Sequence, residues 1–392
     1  MGGPRRRFAL WLATSAVLLA VVPAGLASSG AHATDSPLCL PRTSRAVGGV
    51  PSAVEVAPPD SAAHPNLHRW SVTSPAMIGA AVTVNVLLPP GYSDPANAGV
   101  NYKVLYLLHG HGGGPDDWWK NADANHASLE TVVGTLPLIV VMPDGGYDGW
   151  YSDWYGVDVD GHNGTDPNRA PAWESFHTNE LLTFVDRTYR TVQAATGRLV
   201  AGLSMGGYGA LHYGLAHPDL FAAAGSFSGA LDIRLDDPAE PLVQPLFQNL
   251  PDRKPPDSCV WGDAVTQHDN WVAHNPADQV GTGAAAQRLA FYASSGDGCA
   301  PSPANPDVIA PTRCPQLITS PGDLGSALVE WGVRQQTESF KAKLAAYCSA
   351  NGGCRPGNAF DLYSPGTHAW SYWVAELGKF VAWAQLPSVG VL

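Results

Sequence analysis

Basic charge is scarce in this chain of 392 residues: 22 lysines and arginines stand against 34 aspartates and glutamates, and the formal net charge is −12. A surface so short of cations argues against nucleic acid or an anionic membrane face as partner. Long apolar runs are missing as well. Beyond the N-terminus no stretch reaches the roughly 18 consecutive apolar residues that a spanning helix needs, so stable membrane insertion is not expected. No Cys-x-x-Cys pair points to zinc, and there is neither an internal repeat nor a sign of a second domain. What is abundant is apolar material, 45% of all residues, enough for a large buried core.

The N-terminus reads as a targeting segment. Arg5, Arg6 and Arg7 precede an apolar run over residues 8–27, and Ala31-His32-Ala33 sets small residues at a cleavage spacing. Residues 1–33 are therefore expected to be a removed signal peptide of the Sec or twin-arginine type, and the mature chain to be secreted. Pro23 and Gly25 interrupt the run and oppose the alternative of an uncleaved anchor helix. All six cysteines follow this segment, and an even number in an exported chain suggests three disulfides. Proximity favours Cys348 with Cys354 and Cys299 with Cys314, which leaves Cys39 for Cys259; other connectivities stay open on sequence alone.

Residues 34–68 are rich in Pro, Ala and Ser without periodicity and suit an extended surface leader. From residue 69 a single domain is expected. Residues 82–88 alternate as a strand wetted on one face, whereas the apolar runs at 104–108 and 138–142 have the character of parallel strands buried on both faces. Residues 174–190 follow with helical spacing, then a strand at 199–202, a helix over 205–217 and a strand at 221–227. Residues 230–286 have weak periodicity and read as a cap-like insertion. A strand at 289–293, a helical segment at 326–348, a strand at 360–363 and a helix at 370–385 complete the order. Strand alternating with helix in one long chain indicates an α/β fold with a doubly wound, mostly parallel sheet.

Gly202-Leu203-Ser204-Met205-Gly206 is a G-x-S-x-G pentapeptide between an expected strand and an expected helix, the setting of a nucleophile elbow in an α/β-hydrolase. A serine hydroxyl needs a base, and in this fold the chain order is serine, acid, histidine. His368 alone among the 13 histidines follows the helical segment ending near residue 348, and it sits in a loop after the last expected strand. Two carboxylates compete for the acid: Asp297, just past the strand at 289–293, is favoured by position, and Glu330 lies in the helical segment beyond. His109-Gly110-His111-Gly112-Gly113-Gly114 follows a buried strand and is expected to give the second oxyanion N–H from His111, beside that of Met205. The aromatic segment around Trp154, and Trp370, are candidate substrate contacts; packing under the insertion is an equal reading for the former. Asp158-Val159-Asp160-Gly161 lacks the spaced ligands of a calcium loop, and two histidines at 109 and 111 without a third ligand are weak evidence for a metal. Neither metal nor cofactor is expected.

These residues resemble those of the esterase D-like hydrolases, and among them the antigen 85 mycolyltransferases. The likeness spans about residues 74–377. It is carried by Ser74-Pro75-Ala76-Met77, Trp150-Tyr151-Ser152-Asp153-Trp154, Trp173-Glu174-Ser175-Phe176, the Ser204 elbow, Val260-Trp261-Gly262 and Gly366-Thr367-His368-Ala369-Trp370. The resemblance implies a serine-glutamate-histidine triad whose acid lies in Leu328-Val329-Glu330-Trp331, which favours Glu330 over Asp297. It departs where the mycolyltransferases carry an Asp-Gly-Leu-Arg segment that helps hold trehalose; here His109-Gly110-His111-Gly112 stands instead. The expected activity is a secreted serine esterase acting on carboxylic esters, as a monomer, on substrates that include lipids or acylated sugars. Acyl transfer to a sugar or lipid hydroxyl is the first alternative. A non-catalytic binding module is the second, against which the intact Ser204 and His368 count.

Overall fold

Apolar runs bounded by glycine and proline become the strands of a central sheet. The computed structural model describes residues 39–42, 48–57, 63–125, 127–158, 170–235, 257–282, 284–299 and 321–392, so the expected signal peptide lies outside the described residues. In chain order the strands are β1 (Cys39–Pro41), β2 (Ser52–Val56), β3 (Leu67–Ser74), β4 (Ala80–Leu87), β5 (Lys103–Leu108), β6 (Leu138–Pro143), β7 (Gly156–Asp158), β8 (Arg198–Leu203), β9 (Ala223–Phe227), β10 (Ala290–Ser295) and β11 (Ala359–Leu362). β1 and β7 form a small antiparallel pair, and the other nine run in the spatial order β11-β10-β9-β8-β5-β6-β4-β3-β2. From β11 to β6 every neighbour is parallel. β4, β3 and β2 add an antiparallel edge.

Side chains alternate across a strand, so each central strand feeds two cores. Val104, Tyr106 and Leu108 of β5 join Ile139, Val141 and Val200 on one face, where Tyr208 and Leu211 of the helix Met205–Ala216 cover them. Leu105 and Leu107 join Val140, Leu199 and Ala201 on the other, beneath the helices Asp117–Ala124 and Trp370–Ala384. β6 and β8 are buried along their whole length; the one charged residue there, Arg198, is paired with Asp186 at 2.5 Å.

The helix expected over 174–190 is broken in kind. Trp173–Ser175 and Leu182–Thr188 are α-helical, and Phe176–Leu181 between them takes the wider π form. In that stretch Glu180 is fully buried and accepts from the Ser74 hydroxyl (2.5 Å) and the main-chain N–H groups of Ala76 (2.8 Å) and Gly49 (3.1 Å). A carboxylate buried among three donors is compensated for the water it loses.

The leader differs from its expectation. Its described part is extended but built into the fold: β2 forms the sheet edge, β1 pairs with β7, and Leu67 and His68 already belong to β3. Paired structure therefore begins before residue 69. Two further ties hold it, the Cys39–Cys259 disulfide and buried His64, whose ring nitrogens lie 2.9 Å from Glu130 and 2.9 Å from Asp123. Burial disfavours charge on His64, but the two carboxylates outweigh it and raise its pKa above the usual imidazole value. A group whose pKa is raised on folding contributes stability that is complete below its unfolded pKa and is lost as pH rises through the folded one. His64→Gln should thus lower Tm most near pH 6, with the gap closing toward pH 9; a gap independent of pH would show that the ring acts only by packing.

Cys348–Cys354 also form a disulfide as expected, and Cys299 is disulfide-bonded, although its expected partner Cys314 lies outside the described residues. Of the expected insertion, residues 230–235, 257–282 and 284–286 are described. They supply the short helices Asp257–Trp261, His268–His274 and Pro276–Gln279 and pack along the flank of the helix Met205–Ala216, where Tyr208 donates to the His274 carbonyl at 2.9 Å.

Candidate active site

Every candidate group sits at or just beyond the C-terminal edge of the parallel strands, where an open α/β sheet leaves a crevice. At the end of β8 the chain turns straight into the helix Met205–Ala216, and Ser204 occupies the turn with φ 51° and ψ −119°. This is strained backbone for a residue with a Cβ, of order 1–3 kcal/mol. It is held by hydrogen bonds from the Ser204 N–H to Phe227 (2.9 Å) and from the Tyr208 N–H to Ser204 (3.0 Å). The flanking glycines are required sterically. A Cβ on Gly206 would stand 2.5 Å from the carbonyl oxygens of Leu108 and His109, and one on Gly202 2.4 Å from that of Gly206.

His368 reaches this turn from the loop after β11. Its main chain is fastened to the long helix Pro321–Ala350 twice, by its N–H to the Ser326 carbonyl (3.2 Å) and by the Ser326 hydroxyl to its own carbonyl (2.9 Å). Its ring is pinned edge-on by Trp373, centroids 4.8 Å apart. Nε2 then lies 2.9 Å from Ser204 Oγ, and Nδ1 2.8 Å from Glu330 Oε2. A carboxylate only accepts, so the neutral ring carries its proton on Nδ1 and offers Nε2 as an acceptor to the serine hydroxyl.

Glu330 is fully buried, and its second oxygen accepts from the Ser228 hydroxyl (2.8 Å) and the Gly296 N–H (2.5 Å). Ser228, in left-handed backbone at the end of β9, is itself oriented by the Trp373 indole N–H at 3.1 Å. Asp297 points elsewhere: it accepts from the Cys299 N–H (2.9 Å) and from the Ser364 hydroxyl, tying the β10 loop to the loop that precedes His368. The structure therefore brings Glu330, not Asp297, against the imidazole.

A cleft of about 430 Å³ opens over Ser204. Trp150, Trp370, Trp373, Val329 and Val333 give it an apolar wall; Gly110, His111, Met205 and Asp117 border its polar end. Trp370 is thus where a substrate contact was expected. Trp154 is not: it is buried in the core, its indole N–H bonded to the Gly149 carbonyl at 2.9 Å. The reason is local. Trp150 and Tyr151 both adopt positive φ (47° and 46°), and this reversal turns Trp150 toward the cleft while Tyr151 packs on Gly209 and donates to the His109 carbonyl at 2.8 Å. Trp150 belongs to the aromatic segment singled out as a candidate contact, whereas Trp373 was missed. Trp373 stands one helical turn after Trp370, a spacing that puts both on one face and could have signalled it.

His109 serves the frame of the site. It is buried, its Nδ1 lies 2.8 Å from the Gly110 carbonyl, and its Nε2 accepts from the Gly145 N–H at 2.8 Å, fastening the ends of β5 and β6 together. His111 lies along the cleft with its side chain 3.7 Å from Asp148.

Comparison with known proteins places this architecture. The Esterase family model matches residues 74–384. Esterase Rv1288 of Mycobacterium tuberculosis is 40% identical over 159 residues, 41% of this chain and 31% of that protein, so the chain spans about a third of that relative's length. The diacylglycerol acyltransferase/mycolyltransferase Ag85B of Mycolicibacterium smegmatis is 29% identical over 323 residues, covering 79% of this chain and 87% of its own. Among solved structures, MPT51 (FbpC1) of Mycobacterium tuberculosis superposes with a TM-score of 0.54 at 20% identity, over 80% of this chain and 95% of its own. A ferulic acid esterase reaches 0.52 at 18% identity, over 85% and 96%. The chain belongs to the Esterase family and shares the α/β fold of these solved structures.

Proposed function

We propose that the protein is a secreted serine carboxylesterase working through an acyl-enzyme on Ser204. The observation that carries this reading is the continuous relay from Ser204 Oγ to His368 (2.9 Å) and on to Glu330 (2.8 Å), at the floor of an apolar cleft. His368 Nε2 takes the hydroxyl proton as Oγ attacks the ester carbonyl, and the resulting imidazolium is stabilised by the buried Glu330 carboxylate. The carbonyl oxygen gains negative charge. It is met by the Met205 N–H, which as the first of a helix has no intrahelical acceptor, and by that of His111. Collapse breaks the bond to the leaving alkoxide, which receives the proton from His368. Water then repeats the sequence, releasing the carboxylic acid and restoring Ser204.

The apolar wall of Trp150, Trp370 and Trp373 suits the acyl side of the substrate. Export is supported by the arginine-led apolar N-terminus and by disulfide-bonded cysteines. Transfer of the acyl group to a sugar or lipid hydroxyl is the second reading, supported by the alignment with acyltransferases over most of this chain. One experiment separates them. The enzyme is incubated with acyl donors of graded length, alone and with trehalose, glycerol or glucose, and the products are read by mass spectrometry. Free acid as the main product with every acceptor is expected. Dominant new ester would make the protein a transferase, and absence of turnover together with absence of an acyl adduct on Ser204 would overturn both.

A further inference from the structure

On the flank of the nucleophile helix, residues far apart in sequence bring two imidazoles and a carboxylate together. Glu174 opens the helical run at 173–188, His212 lies on the helix Met205–Ala216, and His274 ends the helix His268–His274 of the insertion. One ligand atom from each lies within 4.8 Å of the others. His212 Nε2 is 3.2 Å from Glu174 Oε2, and His274 Nε2 is 3.9 Å from the same oxygen. His217 Nε2 donates to the other carboxylate oxygen at 2.7 Å, which leaves Oε2 turned toward the two rings. His212 is fully buried, and Glu174 and His274 are mostly so.

The tautomer of His274 gives the cluster its meaning. Its Nδ1 lies 2.7 Å from the Asn270 carbonyl. A carbonyl only accepts, so Nδ1 carries the proton, and the neutral ring presents a bare lone pair at Nε2 to a carboxylate oxygen. At 3.9 Å this is too long for a hydrogen bond, and two electron-rich atoms facing each other in a buried site ask for a cation between them. His212 Nε2, 3.2 Å from the same oxygen, carries a proton that a metal ion would displace, and its Nδ1 faces the Gln279 amide, 3.2 Å from the oxygen and 3.0 Å from the nitrogen, a partner that suits either tautomer.

We infer that Glu174, His212 and His274 form a structural metal site for Zn²⁺. Two imidazoles and one carboxylate are the donor set of a borderline cation with three protein ligands and one further position, and metal-binding histidines are held through their second nitrogen, as Asn270 and Gln279 hold these. Zinc–ligand bonds of about 2.0–2.2 Å set neighbouring donors about 3.3 Å apart in a tetrahedron, so the 3.2 Å and 3.9 Å separations close on an ion with small side-chain shifts. His212 is eight residues beyond Ser204, about 12 Å along a helix axis. The ion would be remote from the reacting atoms and would clamp the insertion and the 173–188 run to the nucleophile helix.

The test uses tag-free mature protein, loaded with ZnCl₂ and dialysed. About one zinc per chain by elemental analysis is expected, with a rise in Tm of roughly 5 °C when free zinc exceeds its dissociation constant about a hundredfold. His274→Gln and Glu174→Gln should each weaken zinc binding by about tenfold or more. Titration of the wild-type protein with Co²⁺ should give the intense visible bands of a tetrahedral nitrogen and oxygen site, a readout that stands even if a variant fails to fold. Wild-type protein that retains no zinc and shows no such bands, or variants that bind zinc as tightly as the wild type, would overturn the proposal.

Discussion

Ser204→Ala should lower kcat/KM toward a short p-nitrophenyl ester by about 10⁴-fold or more while leaving the fold intact, since replacing the nucleophile removes the covalent route and not merely a contact. The side chain is small, partly exposed at the cleft floor, and bonded only to His368 Nε2 among the hydrogen bonds described. Its main-chain strain persists in alanine, so Tm should move little. Two measurements check the prediction: steady-state hydrolysis, and labelling by a fluorophosphonate probe, which should mark the wild-type chain at residue 204 and leave the variant unmarked. Residual hydrolysis within about tenfold of the wild type would remove Ser204 from the mechanism.

The second large effect lies at the acid. Glu330→Gln should cost about 10³-fold in kcat, whereas Asp297→Asn should stay within about threefold. The amide is nearly isosteric, but it presents an N–H₂ group or a neutral oxygen where His368 Nδ1 now meets a carboxylate, 2.8 Å away. An N–H₂ facing Nδ1 forces the ring to place its proton on Nε2, where it can no longer accept from the serine; a neutral oxygen keeps the tautomer but forfeits the charge that stabilises the imidazolium. A loss of about 10³-fold corresponds to about 4 kcal/mol of transition-state stabilisation. With its oxygen toward Ser228 and Gly296 the amide is a weaker acceptor, and turned the other way it sets N–H₂ against those two donors, so rates should be measured well below Tm with a melting curve beside them. Equal losses in the two variants would return the acid to question.

The two carboxylates mark where reading a sequence stops. Order along the chain admits both, since Asp297 follows β10 immediately and Glu330 lies in the next helix. What separates them is a set of donors from elsewhere: Ser228 at the end of β9 and the Gly296 N–H converge on Glu330, and Ser364 closes on Asp297. None of these pairings leaves a periodic or local trace. The resemblance to known hydrolases reached Glu330 by another route. The parallel strands were legible because burial on both faces demands continuous apolar runs, and the Ser204 turn because glycine at 202 and 206 is imposed by backbone atoms within 2.5 Å.

The edge strand β2 was not legible. Its five residues are mostly exposed and include Glu55, so pairing with β3 rests on main-chain bonds that composition does not report. Trp154 and Trp150 illustrate the same limit on a smaller scale. Of two buried tryptophans four positions apart only Trp150 also lines the cleft, and the left-handed backbone at Trp150 and Tyr151 is announced by nothing in their side chains. The Glu174, His212 and His274 cluster joins three separate elements, and spacings of 38 and 62 positions carry no ligand signature.

The three groups of the relay enter from β8, from the helix after β10 and from the loop after β11, and the His368 backbone is fastened to Ser326 rather than to anything near Ser204. Reactivity at Ser204 therefore arrives only when the last tenth of the polypeptide has docked. A newly made chain would be silent until its C-terminus is in place, which makes probe labelling a clock for the end of folding.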